Sequence, residues 1–146
     1  MAITESIEIG RSPQEVAAYL DDLARHPEWQ ENLVDVKVET ESPTRVGTRI
    51  RQTRRVGGGT RTFTLEVTEH DPPNLFAFKG IAGPIRPRGT ITLEPIDDGQ
   101  RTRYVAELDF EGHGLGLLLT PLVRRDAARQ LPKNLQRLKE RLEKGV

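Results

Sequence analysis

The chain has 146 residues, a length suited to one compact domain, and its 22 basic side chains balance its 22 acidic ones to a formal charge of zero. That balance excludes a dedicated polybasic nucleic-acid binder, whose affinity rests on phosphate neutralisation. The absence of cysteine removes disulfides, thiolate zinc sites and cysteine nucleophiles together.

The chain opens with Ile3, Ile7 and Ile9 alternating with Thr4, Ser6 and Glu8, the period-two pattern of a half-buried strand. Ser12-Pro13-Gln14-Glu15 then places a capping serine before a first-turn proline, with Glu three residues after the serine. That combination predicts a helix start. Val16, Tyr19, Leu20 and Leu23 form its apolar stripe. His26-Pro27-Glu28-Trp29 opens a second short helical turn, expected to end near Leu33.

From Val34 to Phe110 the pattern is strand after strand. Val34, Val36 and Val38 alternate with polar residues. Strands over 49–56 and 61–69 flank Gly57-Gly58-Gly59, a hairpin tip. Asp71-Pro72-Pro73-Asn74 turns the chain into a strand over 75–79. Strands over 90–94 and 102–110 are joined through Asp97-Asp98-Gly99. Successive hairpins predict an antiparallel meander, because parallel neighbours need long crossovers. Beyond Leu115 the period changes. Leu131, Leu135, Leu138 and Leu142 lie four, three and four apart, one face of a long helix. Pro132 is expected to kink or restart it, and the inward face of the sheet is the surface that could receive it. No stretch approaches the roughly 18 apolar residues of a membrane span, and residues 1–11 lack a basic region followed by an apolar run. The cytoplasm is the expected location, with no integral membrane association.

This order of strand, two short helices, six strands and a long helix resembles the helix-grip fold of the START-like, or SRPBCC, superfamily. The motifs Ile7-Glu8-Ile9, Ser12-Pro13-Gln14-Glu15-Val16, Tyr19-Leu20-Asp21-Asp22 and Pro27-Glu28-Trp29 resemble the opening signature of its polyketide cyclase/dehydrase family. Val67-Thr68-Glu69-His70-Asp71-Pro72-Pro73 and the final stretch Leu135 to Glu143 resemble that family's strand-and-turn motif and last helix. The resemblance implies an α+β fold, with a seven-stranded antiparallel sheet wrapped around a C-terminal helix, as a single domain over residues 1–146. It also implies a cavity between sheet and helix for a lipid, polyketide or aromatic molecule. Members of the superfamily include lipid carriers, aromatase/cyclases and quinone-binding proteins, so fold does not settle activity.

Strand alternation gives the expected lining: Ile50, Gln52, Phe63, Leu65, Val67, Phe76, Phe78, Ile91, Leu93, Tyr104, Ala106, Leu108 and Phe110. Leu118, Leu122, Ala127 and Leu131 would close the space from the helix, whose first half is expected to lift off the sheet at Pro132. Two residues are candidates for chemistry. Tyr104 could donate to a ligand carbonyl or a developing enolate. Glu5, in phase with Ile3 and Ile7, could act as a desolvated base. Gln52 and Arg54 could bind a carboxylate or ketone, the alternative being an exposed strand end. Arg49, Arg51, Arg54, Arg55 and Arg61 form a local basic patch, read as a solvated sheet face.

His26 is expected exposed at a helix junction, His70 before the Pro-Pro turn and His113 at the cavity mouth. None has a partner at metal-ligand spacing. Neither a metal nor a cofactor is expected, and Trp29 is read as an anchor for the short helices. A module that binds a small hydrophobic molecule is the first functional expectation. The alternative is a polyketide cyclase or dehydratase-like enzyme using the same cavity. Other branches of the superfamily imply a ribosome- or quinone-associated role as a third. The sequence leaves the ligand and the oligomeric state open.

Overall fold

The computed structural model describes residues 2–145. Strand β1 (Ile3–Ile9) leads into helix α1 (Pro13–Asp21). Ser12 closes a full capping box there, its hydroxyl accepting from the Glu15 amide at 3.2 Å while the Glu15 carboxylate accepts from the Ser12 amide at 3.3 Å. The second helical segment is a 3-10 helix over Leu23–Glu28. It starts earlier than the sequence pattern predicts, because the Asp22 carbonyl accepts from the Arg25 amide at 3.0 Å and leaves the amide-less Pro27 inside the turn.

Six strands follow: β2 (Leu33–Val38), β3 (Arg49–Val56), β4 (Gly59–Asp71), β5 (Leu75–Ala82), β6 (Ile85–Ile96) and β7 (Arg101–Gly112). They form one sheet in the order β1-β7-β6-β5-β4-β3-β2, each neighbouring pair antiparallel. The chain between β1 and β2 therefore carries α1 and the 3-10 helix from one sheet edge to the other. The sheet curls around the final helix, α2 (Gly116–Glu143). Strands β5 and β6 run longer than expected, since the 81–89 segment, with its Gly and Pro residues, is a β5–β6 hairpin rather than a loop.

Helix α2 continues through both Pro121 and Pro132 without the expected restart. Its inward stripe is Gly116, Thr120, Val123, Ala127, Leu131, Leu135, Leu138 and Leu142, at spacings of three and four. The first half does not lift off the sheet. Gly116 lies so close to the β5–β6 tip that a Cβ there would stand 1.8 Å from the Pro84 carbonyl oxygen. Two core clusters result. Leu135, Leu138 and Leu142 pack with Ile9, Val16, Leu20, Trp29, Leu93 and Tyr104. Val123 packs with Val56, Phe63, Leu65, Ile85 and Phe110.

Candidate functional site

Between these two clusters the sheet and α2 border a cavity of about 150 Å³ that is open to one side, a concave and mainly apolar space of the kind that receives small molecules. Its sheet wall brings together Ile50, Gln52, Arg54, Phe63, Leu65, Phe76, Phe78, Ile91, Tyr104, Ala106, Leu108 and Phe110. Alternation places these residues on one face, and the antiparallel register aligns them: Gln52 opposite Phe63, Leu93 opposite Tyr104 and Ile91 opposite Ala106. Gly89 sits opposite Phe78, where a Cβ would come within 2.6 Å of the ring. Without a side chain there, the Phe78 ring can lie across β6.

The α2 wall is Val123, Asp126, Ala127, Gln130, Leu131 and Asn134. Leu118 and Leu122, expected in that wall, are exposed and take no part in it. Their positions fall about 200° from Gly116 and Thr120 around a helix, so they occupy the opposite face. Leu93 is buried in the cluster around Tyr104 rather than in the cavity lining, and Val67, packed with Ile50 and Leu23, does not reach the lining either. Glu5 is half-buried opposite Ala106 on the edge strand and does not line the cavity. The edge position explains this, since β7 stands between Glu5 and the enclosed space. Ala127 and Leu131 do reach the lining.

One side of the cavity is polar. Arg54 extends inward from β3, and its Nη2 donates to the Gln52 side-chain oxygen at 3.0 Å and to that of Gln30. Nη1 donates to Asn32 Oδ1 at 3.4 Å. No carboxylate among the described residues forms an ion pair with it. Burial pushes the guanidinium pKa down to about 10, because a partly buried cation loses hydration that amide oxygens only partly replace. The other arginines of the expected basic patch differ. Arg49 pairs with Glu66 at 3.4 Å and Arg51 with Glu39 at 3.1 Å on the outer face.

His26 is buried in this wall instead of exposed. Its Nε2–H donates to the Leu20 carbonyl at 2.7 Å, which leaves Nδ1 to accept from Gln30 at 3.4 Å. Burial, with a smaller contribution from Arg54, lowers its pKa to about 4, so the ring is neutral at physiological pH. Trp29 stacks at a tilt on His26 with ring centroids 5.4 Å apart. Its buried Nε1–H has no acceptor among the described residues. Tyr104 is buried too, with no hydrogen-bond partner for its hydroxyl among the described residues, and burial raises its pKa above the usual phenol value. Asn134, from α2, accepts from the Glu31 amide at 3.1 Å and donates to Asn32 at 3.3 Å, fixing the loop that carries Gln30 and Asn32.

His113 lies outside the cavity and pairs with Glu111 at 3.1 Å. His70 pairs with Asp21 at 2.9 Å near a smaller recess. Among the cavity residues that sequence reasoning missed are His26, Trp29, Gln30, Asn32, Gln130 and Asn134. Most of them sit on the irregular segment after α1, where no period reports facing. Gln130 and Asn134 stand four apart, flanking Leu131 and Leu135 on α2, the one signal available beforehand.

A family model described as polyketide cyclase/dehydrase and lipid transport matches residues 1–143. No curated protein matches the sequence. Among solved structures, the chain is similar to a protein of Thermus thermophilus with a TM-score of 0.82 and 23% identity, over 100% of both chains. The Zhui aromatase/cyclase from a Streptomyces species superposes with a TM-score of 0.83 at 16% identity, over 98% of this chain and 93% of that one. A START superfamily protein from Mycobacterium smegmatis gives 0.77 at 15% identity, over 97% and 98%. At these identities the structural likeness establishes the helix-grip fold.

Proposed function

The chain belongs to the polyketide cyclase/dehydrase and lipid transport family, and on that footing we propose that it binds a small apolar molecule bearing an acidic or carbonyl oxygen. The apolar body lies against Phe63, Phe76, Phe78 and Ile91, and the oxygen turns towards Arg54. The observation that carries this reading is the cation of Arg54, held on the polar side of a largely apolar cavity by amide oxygens, with no carboxylate partner among the described residues. A charge so placed lacks compensation within the protein, and an anionic or strongly polarised oxygen would supply it. Tyr104, with its hydroxyl unpaired among the described residues on the same lining, offers a second donor.

Fold and family support a ligand-binding or cyclase-type function, and the side chains favour binding. A cyclisation by proton abstraction needs a base that works near neutral pH. His26, with a pKa of about 4, is a weak one, and Asp126 is ion-paired with Arg129 at 3.1 Å.

Trp29 is the sole tryptophan and lines the cavity, so its emission reports occupancy. Titration with octanoate and with 1-octanol should show saturable quenching by both and tighter binding of the acid. Arg54→Met should remove on the order of tenfold of octanoate affinity while leaving 1-octanol unchanged. Equal affinities in the parent protein, or no response to either probe, would overturn the reading.

A further inference from the structure

Leu115, Leu117, Leu118 and Leu122 are 79%, 65%, 79% and 50% exposed. They occupy the start of α2, on the side turned away from the sheet. Pro121 beside them is exposed as well. The rest of the described surface exposes large hydrophobic residues only as Val34, Val38 and Val46. Single exposed valines are ordinary, whereas four leucines within eight positions form a patch. The helix is already held from its other side by Gly116, Thr120 and Val123, so nothing in the fold requires leucine on this face.

The charge around the patch is mainly positive. Residues 116–125 contain no acidic side chain and end in Arg124 and Arg125. Two of the nearest acids along the chain are paired with arginine, Asp109 with Arg124 at 3.0 Å and Asp126 with Arg129 at 3.1 Å, while Glu111 contacts His113 at 3.1 Å and lies across the sheet from Arg86. Arg125 is exposed and has no ion-pair partner among the described residues. Arg86, on the β5–β6 hairpin that abuts Gly116, uses its Nε for the Gly83 carbonyl at 3.2 Å and has no carboxylate partner among the described residues. Ala82, Gly83 and Pro84 at that hairpin tip are exposed.

We propose that the first two turns of α2, with the β5–β6 tip, form a peripheral docking surface for an anionic lipid bilayer. An apolar helical face rimmed by arginine is the pattern that lies in the headgroup boundary, the leucines entering the acyl region and the cations meeting lipid phosphates. Insertion is shallow, because no helix among the described residues is long and apolar enough to cross a membrane. A second copy of the chain fits less well. Two-fold pairing through this face would set the Arg124 and Arg125 rims of two copies against one patch, whereas an anionic lipid surface meets them with phosphate. The cavity wall on α2 begins at Val123, one residue beyond Leu122 but on the opposite face of the helix. This inference stands apart from the ligand reading, since it does not depend on what the cavity holds.

The test is co-sedimentation with vesicles of phosphatidylcholine alone and of phosphatidylcholine with phosphatidylglycerol. The protein should pellet with the mixed vesicles and much less with neutral ones, and added salt should release it. The double variant Leu117→Ser/Leu118→Ser should bind at least about tenfold more weakly, with its thermal melt and octanoate titration unchanged. Arg125→Gln should cost a smaller factor, about fivefold. Equal pelleting of the double variant, no pelleting with either vesicle, or equal binding to neutral lipid would each overturn the proposal. So would a dimer in size-exclusion chromatography that the double variant dissociates, because the leucines would then be covered by another copy.

Discussion

The two halves of α2 are both rich in leucine and use it in opposite ways. In the second half Leu135, Leu138 and Leu142 are all buried against the sheet and α1. In the first half Leu117, Leu118 and Leu122 face outward, and the inward positions are Gly116, Thr120, Val123 and Ala127. Phase decides burial, not composition. Size at the inward positions then decides what the interior becomes. Leucines fill the space and make a core. Small residues allow close approach at Gly116 and leave the space next to Ala127 unfilled, and the cavity lies there.

The largest expected effect belongs to the packed half. Leu135→Ala should destabilise the protein by about 2–5 kcal/mol, the lost transfer energy plus the void left behind. A urea midpoint equal to that of the parent would place Leu135 outside a packed core and erase the contrast.

Next comes the pH response of the same region, where His26 packs on Trp29 at the edge of the leucine cluster. Its pKa falls from 6.5 to about 4 on folding. Above pH 6.5 the ring is neutral in both states and does not affect stability. Between pH 6.5 and 4 the unfolded chain takes up a proton that the native ring refuses, so stability falls with pH, by up to about 3 kcal/mol. Denaturation midpoints measured across that range should fall steeply for the parent and flatten in His26→Gln. A parallel decline in both proteins would show that the ring titrates freely.

A third change tests the unfilled half. Ala127→Leu places packed-half size at an inward position of the first half. An existing void accepts the volume that a full core resists, so stability should change by less than about 1 kcal/mol. Octanoate quenching of Trp29 should disappear. Retained quenching would mean that the ligand lies elsewhere, and a large loss of stability would mean that no free space adjoins Ala127.

The same contrast separates what was legible in the sequence from what was not. The capping box at Ser12, the hairpin at Gly57 and the inward parity of Ile50, Phe63, Leu65, Tyr104 and Ala106 were readable, because each follows from a local rule or a period of two. The leucine stripe from Leu131 onward was equally readable. The first half of α2 was not, since its inward stripe is carried by Gly, Thr, Val and Ala, and leucines on the other face outweigh it in any hydrophobic pattern. The polar side of the cavity was half legible. Alternation along β3 aims Gln52 and Arg54 inward, but their partners Gln30 and Asn32 come from a loop whose facing is set by the Asn134 hydrogen bonds. Glu5 misled for a different reason: its parity follows β1, and parity does not report that β1 is an edge strand.

The smallest expected effect is the sharpest test of the outward leucines. Leu118→Ser removes a large side chain that is 79% exposed. It leaves no void and strips no apolar area from the interior, so the urea midpoint should move by no more than about 0.5 kcal/mol in equivalent stability. Leu135→Ser, the same substitution on the other half, loses buried area and also sets a hydroxyl without a partner into the core. The two measurements share one helix, one residue type and one replacement, so any difference between them comes from facing alone. If Leu118→Ser is as destabilising as its counterpart, the first half of α2 is covered in solution, and the two halves of the helix differ in nothing but the partner that buries them.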